Sequence, residues 1–112
     1  MQQGLEIRRT LGQPSQLRIQ QILGGQQTLG QRVSNELGFV DIVRSGLPYR
    51  ALESVMELLG LSADSVAASL AIPRRTLSRR KDQARLSASE SDRLLSLARV
   101  ITLANEVFGD MR

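Results

Sequence analysis

The sequence predicts an all-α protein: a small helical bundle containing a helix-turn-helix, preceded by a Gln-rich N-terminal arm. Three observations carry this expectation. Apolar residues recur at helical spacing from about residue 33 onward, and no second strand-like run is available to pair with the β-branched stretch Phe39–Val43. Nine of the ten glutamines fall within residues 1–31, which also hold no aromatic residue.

Taken in order, residues 1–37 read as the arm with short helices. Leu17, Ile19, Ile22 and Leu23 allow one or two amphipathic turns before Gly24-Gly25 stops them. The composition predicts poor packing within the monomer and ordering against a partner chain. Val33 and Leu37, four apart, begin the helical period, with Gly38 expected as a stop. Phe39-Val40-Asp41-Ile42-Val43 is assigned to a helix ending before Ser45-Gly46. Leu52, Val55, Met56 and Leu59 then follow the i, i+3, i+4, i+7 pattern of a core-facing stripe. Pro48 fits the first turn of that helix and Gly60 its left-handed cap.

Ser62 is placed as the next N-cap, with Asp64 in the first turn favouring the helix dipole. Ala63, Val66, Ala67 and Leu70 form the inner face. Pro73 starts a basic helix running to about Ala84. The last helix opens on Ser87-Ala88-Ser89-Glu90, an S-x-x-E capping box. Its stripe is Leu94, Leu97, Ala98, Ile101, Ala104 and Phe108, closed by Gly109. The predicted organisation is an arm at 1–37, a helix-turn-helix DNA-binding domain at 38–86 and a C-terminal helix at 87–112.

With 112 residues, 41% of them apolar, the chain can bury one core. It has no Cys, His or Trp, which excludes zinc fingers, haem ligation, Cys nucleophiles and His-based triads. A cysteine-free chain fits a reducing cytoplasm. The N-terminus has no apolar signal-like region, and no run approaches the roughly 18 apolar residues of a membrane span.

The net charge of +4 is unevenly placed. Residues 1–70 hold six arginines and six acids; residues 87–112 hold three arginines and four acids. Residues 71–86 hold Arg74, Arg75, Arg79, Arg80, Lys81 and Arg85 against Asp82 alone, a net +5. Such a concentration is the footprint of a polyanion partner, and it lacks the alternating signs of a salt-bridged exposed helix.

Leu61–Arg80 has the layout of a helix-turn-helix. Val66, Ala67, Leu70, Ile72 and Leu77 supply its core contacts, with Ala67 small enough for a close crossing and Ala71-Ile72-Pro73 as the turn. Arg74, Arg75, Thr76, Ser78, Arg79 and Lys81 are then the DNA-binding candidates. Arginine bonds bidentately to guanine O6 and N7 or to phosphate, and hydroxyls donate to phosphates. Ala71 occupies the turn position that often carries Gly, and Arg80 stands where an apolar anchor is common. An ordinary αα-hairpin with solvated arginines has the same spacing; the charge concentration favours the DNA reading.

Three linked segments resemble the Xre/MbcA/ParS-type antitoxins. They are Gly46-Leu47-Pro48-Tyr49-Arg50-Ala51-Leu52, then Ile72-Pro73-Arg74-Arg75-Thr76-Leu77-Ser78-Arg79-Arg80, then Leu86-Ser87-Ala88-Ser89-Glu90-Ser91-Asp92-Arg93-Leu94-Leu95. The string Ala98-Arg99-Val100 through Ala104-Asn105-Glu106-Val107-Phe108-Gly109-Asp110 continues the likeness, which covers about residues 38–112. It implies an Xre-like helix-turn-helix and a DNA-binding antitoxin of a bacterial type II toxin–antitoxin system. Such a protein represses its own operon as a homodimer on double-stranded operator DNA and neutralises a RES-type, NAD-consuming toxin. Family members continue past the Val-Phe-Gly-Asp element, so ending at Arg112 implies a truncated chain or a toxin-binding part reduced to the last helix.

Other motifs carry less. Gly25-x-x-x-x-Gly30-Gln31-Arg32 has phosphate-loop spacing but Gln31 in place of the essential Lys and no preceding strand. Ser78-x-x-Lys81 lacks the companion motifs of a Ser–Lys nucleophile. Glu53 and Glu57 lie one turn apart with no third ligand or His, which reads as a solvated face. No enzyme, metal or cofactor is expected. The alternatives to the antitoxin reading are a toxin-binding module with little DNA affinity and an unrelated helix-turn-helix regulator.

Overall fold

The computed structural model describes residues 14–31, 33 and 35–108. Among them are seven α-helices and no strand, only a single bridge between Pro48 and Arg85. The helices are α1 (Pro14–Ile22), α2 (Gly25–Leu29), α3 (Glu36–Ser45), α4 (Tyr49–Leu59), α5 (Ala63–Ser69), α6 (Arg74–Gln83) and α7 (Ala88–Phe108). The all-α expectation holds.

Local chemistry explains where the helices start and stop. Asn35 Oδ1 accepts from the Gly38 N–H at 2.9 Å and opens α3. Gly38 is therefore inside a helix rather than its stop, and Leu37 is 73% exposed instead of continuing a stripe from Val33. Ser62 Oγ accepts from the Ser65 N–H at 3.1 Å and caps α5. The predicted capping box closes at the start of α7: Ser87 Oγ accepts from the Glu90 N–H at 3.1 Å, and Glu90 Oε1 accepts from the Ser87 N–H at 2.8 Å. Gly60 ends α4 at φ 66°. The expected cap of α7, Gly109, lies outside the described residues, as do residues 1–13 of the arm.

The long helix α7 packs against α1 and α3, α4 lies against α1 and α2, and α5 and α6 form the hairpin. A single apolar cluster runs through all of them, from Ile19 and Leu23 through Phe39, Leu52, Val55, Val66 and Leu77 to Leu94 and Ala98. The stretch 14–33 thus departs from the poorly packed arm the composition predicts. Ile19, Leu23, Leu29 and Val33 are buried in the same core, and each such side chain contributes roughly 1.5–3 kcal/mol of transfer free energy. Gln20 explains the docking further. Its buried amide donates to the Val33 carbonyl oxygen and accepts from the Val33 N–H at 3.0 Å, satisfying both backbone groups in place of water. Ser54 Oγ adds a bond to the Ile22 carbonyl oxygen at 2.9 Å, tying the end of α1 to α4.

A second set of bonds gathers the two ends of the α4–α6 unit. The Leu86 N–H donates to Leu47 O at 2.9 Å, Tyr49 N–H to Ala84 O at 3.0 Å, and Leu47 N–H to the buried Ser91 Oγ at 2.7 Å. Gly46 makes this approach possible. Its φ is 92°, and a Cβ there would strike the Leu86 carbonyl oxygen.

Candidate nucleic-acid interface

The interface candidate is built on α5, the turn and α6. Val66, Ala67, Leu70, Ile72 and Leu77, the residues expected at the helix crossing, are all buried. The turn between the helices is closed by backbone bonds from Ala71 N–H to Ala68 O and from Ile72 N–H to Ala67 O. Ala71 takes φ 54°, so the position where Gly is common is left-handed here without it. Arg93 steadies this strained corner. Its Nη1 donates to the carbonyl oxygens of Leu70 and Ala71, both at 3.2 Å, from the first turns of α7.

Pro73 is the N-cap of α6, and its missing N–H costs nothing at that position. With Leu77 facing inward, Arg75, Ser78 and Arg79 fall on one exposed stripe, at i, i+3 and i+4. Asp82 ends that stripe one turn on, away from the N-terminal end of the helix. Lys81 is exposed and Thr76 half-buried. Among the described residues, Arg75, Arg79 and Lys81 make no ion pair.

The other three bases of the cluster are engaged. Arg74 Nε donates to Asp64 Oδ1 at 2.7 Å, and its Nη1 to Ser78 Oγ at 3.4 Å. Arg80, which stands where an apolar anchor is common, turns its head group inward. Its Nε donates to Glu90 Oε1 at 2.8 Å and its Nη1 to Gln83 Oε1 at 3.0 Å. Burial pushes the Glu90 carboxyl up, but hydrogen bonds from Arg80 and from the Ser87 backbone and hydroxyl outweigh it, so the group titrates below its ordinary value. Arg85 Nη1 donates to Gly46 O at 2.7 Å and Ser45 O at 3.3 Å, covering carbonyls at the end of α3. Half of the basic run is therefore engaged within the protein.

A helical hairpin with a small residue at the crossing, a short turn and a basic outer stripe is the arrangement that places a helix in a major groove. The sequence model of the antitoxin Xre-like helix-turn-helix domain matches residues 38–99. The chain belongs to that family. The matched span of the Xre-like domain runs past α6 and takes in the first half of α7, so the Arg80–Glu90 and Arg93–turn contacts lie inside it. No curated protein and no solved structure matches the chain.

Three members of the site escape a reading of the sequence. Asp64 registers only as a favourable charge near a helix start, Glu90 only as half of a capping box, and Arg93 only as one residue of the segment Leu86–Leu95. Their partners lie ten or more positions away, and only the S-x-x-E spacing marks any of them in advance. Away from α5 and α6, a groove of about 490 Å³ is lined by Arg18, Ile22, Leu58, Leu59, Ile101 and Asn105. No helix among the described residues is long and apolar enough to cross a membrane.

Proposed function

We propose that the chain is a DNA-binding antitoxin that represses its own operon. It binds double-stranded operator DNA as a homodimer, with the α6 helices of two copies in successive major grooves about 34 Å apart. Arg75 and Arg79 are the base-reading residues of this assignment. Arg74, at the first position of α6, donates to a base edge or a phosphate, and Thr76, Ser78 and Lys81 contact phosphates. The observation that carries it is the exposed Arg75–Ser78–Arg79 stripe, whose two guanidinium groups have no acidic partner among the described residues. Charges left unpaired on an exposed helix face are available to a polyanion.

In this proposal the antitoxin also neutralises a cognate toxin, of the NAD-consuming RES type that the family resemblance implies. Residues 87–112 lead into the toxin-binding part. A reading in which toxin binding is the main activity draws on α7, where Val100 and Leu103 are 61% and 62% exposed. The two separate in a gel-shift series against the promoter DNA of the chain's own operon. A shift at moderate salt that is lost in Arg75→Ala and Arg79→Ala supports the repressor; no shift at all leaves the interaction module.

A further inference from the structure

Asp64 lies on α5, in its first turn, and Arg74 is the first residue of α6. Their side chains meet across the outer mouth of the hairpin, Arg74 Nε to Asp64 Oδ1 at 2.7 Å. Both are exposed, 52% for the arginine and 86% for the carboxylate, so the pair adds little to folding stability. Its geometry has another effect. A guanidinium is a planar fork with five donors. With Nε taken by Asp64 and Nη1 touching Ser78 Oγ at 3.4 Å, Nη2 has no partner among the described residues, and the plane of the fork is fixed by contacts on two helices.

Resting on the DNA-binding reading above, we propose that Asp64 is a positioning residue that makes Arg74 a reader of guanine rather than a holder of phosphate. Guanine offers O6 and N7 side by side, neutral acceptors that a fixed fork matches. A phosphate approaching Arg74 meets the Asp64 carboxylate, whose charge cancels most of the attraction. The same carboxylate therefore lowers affinity for DNA in general and raises discrimination at one base pair. Arg75 and Arg79, which have no carboxylate partner among the described residues, have no such filter.

The test selects binding sites from a randomised duplex pool with the full chain and three variants. The unaltered protein is expected to enrich a motif in which one guanine position disappears with Arg74→Ala. Asp64→Ala should weaken the preference at that same position about tenfold. It should also bind a scrambled duplex more tightly, with a log–log salt slope steeper by about 0.9 as Arg74 gains a phosphate. Asp64→Asn, which keeps an acceptor for Nε but loses the charge, should bind the scrambled duplex equally tightly yet retain more of the preference. Because Ser62 still caps α5 in these variants, their helical melts should match the parent. If the Arg74-dependent position is unchanged in Asp64→Ala, or no position depends on Arg74, the positioning role is overturned while DNA reading stands. If the unaltered protein enriches no motif, the DNA reading itself falls, and this inference with it.

Discussion

Arg80 Nε donates to Glu90 Oε1 at 2.8 Å with the two side chains only 20% and 9% exposed, joining the last turns of α6 to the first turn of α7. The same carboxylate oxygen accepts from the Ser87 N–H, so one atom caps a helix and pairs an ion. Glu90→Ala removes the cap and leaves Arg80 without its partner, and should cost about 2 kcal/mol in urea unfolding.

The pH dependence of this site has a definite sign. Glu90 titrates below its ordinary value of 4.5 in the folded protein, so its stabilisation is complete above that pH. It is lost as pH falls through the lowered folded value. Urea midpoints measured from pH 7 downward should therefore drop below about pH 4.5 in the parent, and Glu90→Gln should reduce that drop; equal profiles would show that the acid sensitivity lies elsewhere.

At the turn, Ala71 sits at φ 54° under the Arg93 guanidinium. A left-handed non-glycine residue costs about 1–2 kcal/mol, and glycine returns part of that gain to the unfolded chain. Ala71→Gly should stabilise the protein by about 0.5–1 kcal/mol. Arg93→Ala should destabilise the parent by about 1 kcal/mol, and by less in the Ala71→Gly background, because the corner no longer needs holding. Equal losses in both backgrounds would separate the arginine from the turn strain.

For the N-terminal stretch, Gln20→Ala leaves the Val33 N–H and carbonyl without their partner in a buried place. A loss of about 2 kcal/mol is expected, visible as a lower urea midpoint. Were the variant as stable as the parent, the docking of α1 would have to rest on apolar burial alone.

On DNA, Arg75→Ala or Arg79→Ala should each cost about 1–3 kcal/mol on the preferred site if the side chain reads a base. Lys81→Ala, as a phosphate contact, should weaken preferred and scrambled duplexes alike and flatten the log–log salt slope by about 0.9. A filter-binding titration at several salt concentrations distinguishes the two patterns.

What the sequence made legible was whatever is encoded within one or two turns. Ser62, the Ser87–Glu90 box, Gly60 and the apolar stripe of Val66, Ala67 and Leu70 act through neighbours at fixed spacing, and all stand as expected. Polar contacts between helices were not legible, because they depend on how the helices cross. Arg80 is the clearest case: its anchor position marks it in the sequence, yet Glu90 is brought to it only by the packing of α7. Gln20 was hidden differently. One buried, fully bonded glutamine cannot be told from eight neighbours in a Gln-rich stretch, and that composition made the segment look looser than it is.

The bonds that join Leu47 to Leu86 and Ser91 have a mechanical meaning. They short-circuit the chain, so tension between α3 and α7 passes directly across this junction and bypasses the residues of α4, α5 and α6 between them. Pulled from those two helices, the hairpin that carries the arginine stripe is shielded from tension until the junction breaks, and Arg80 and Arg93 still tie it to α7 after that.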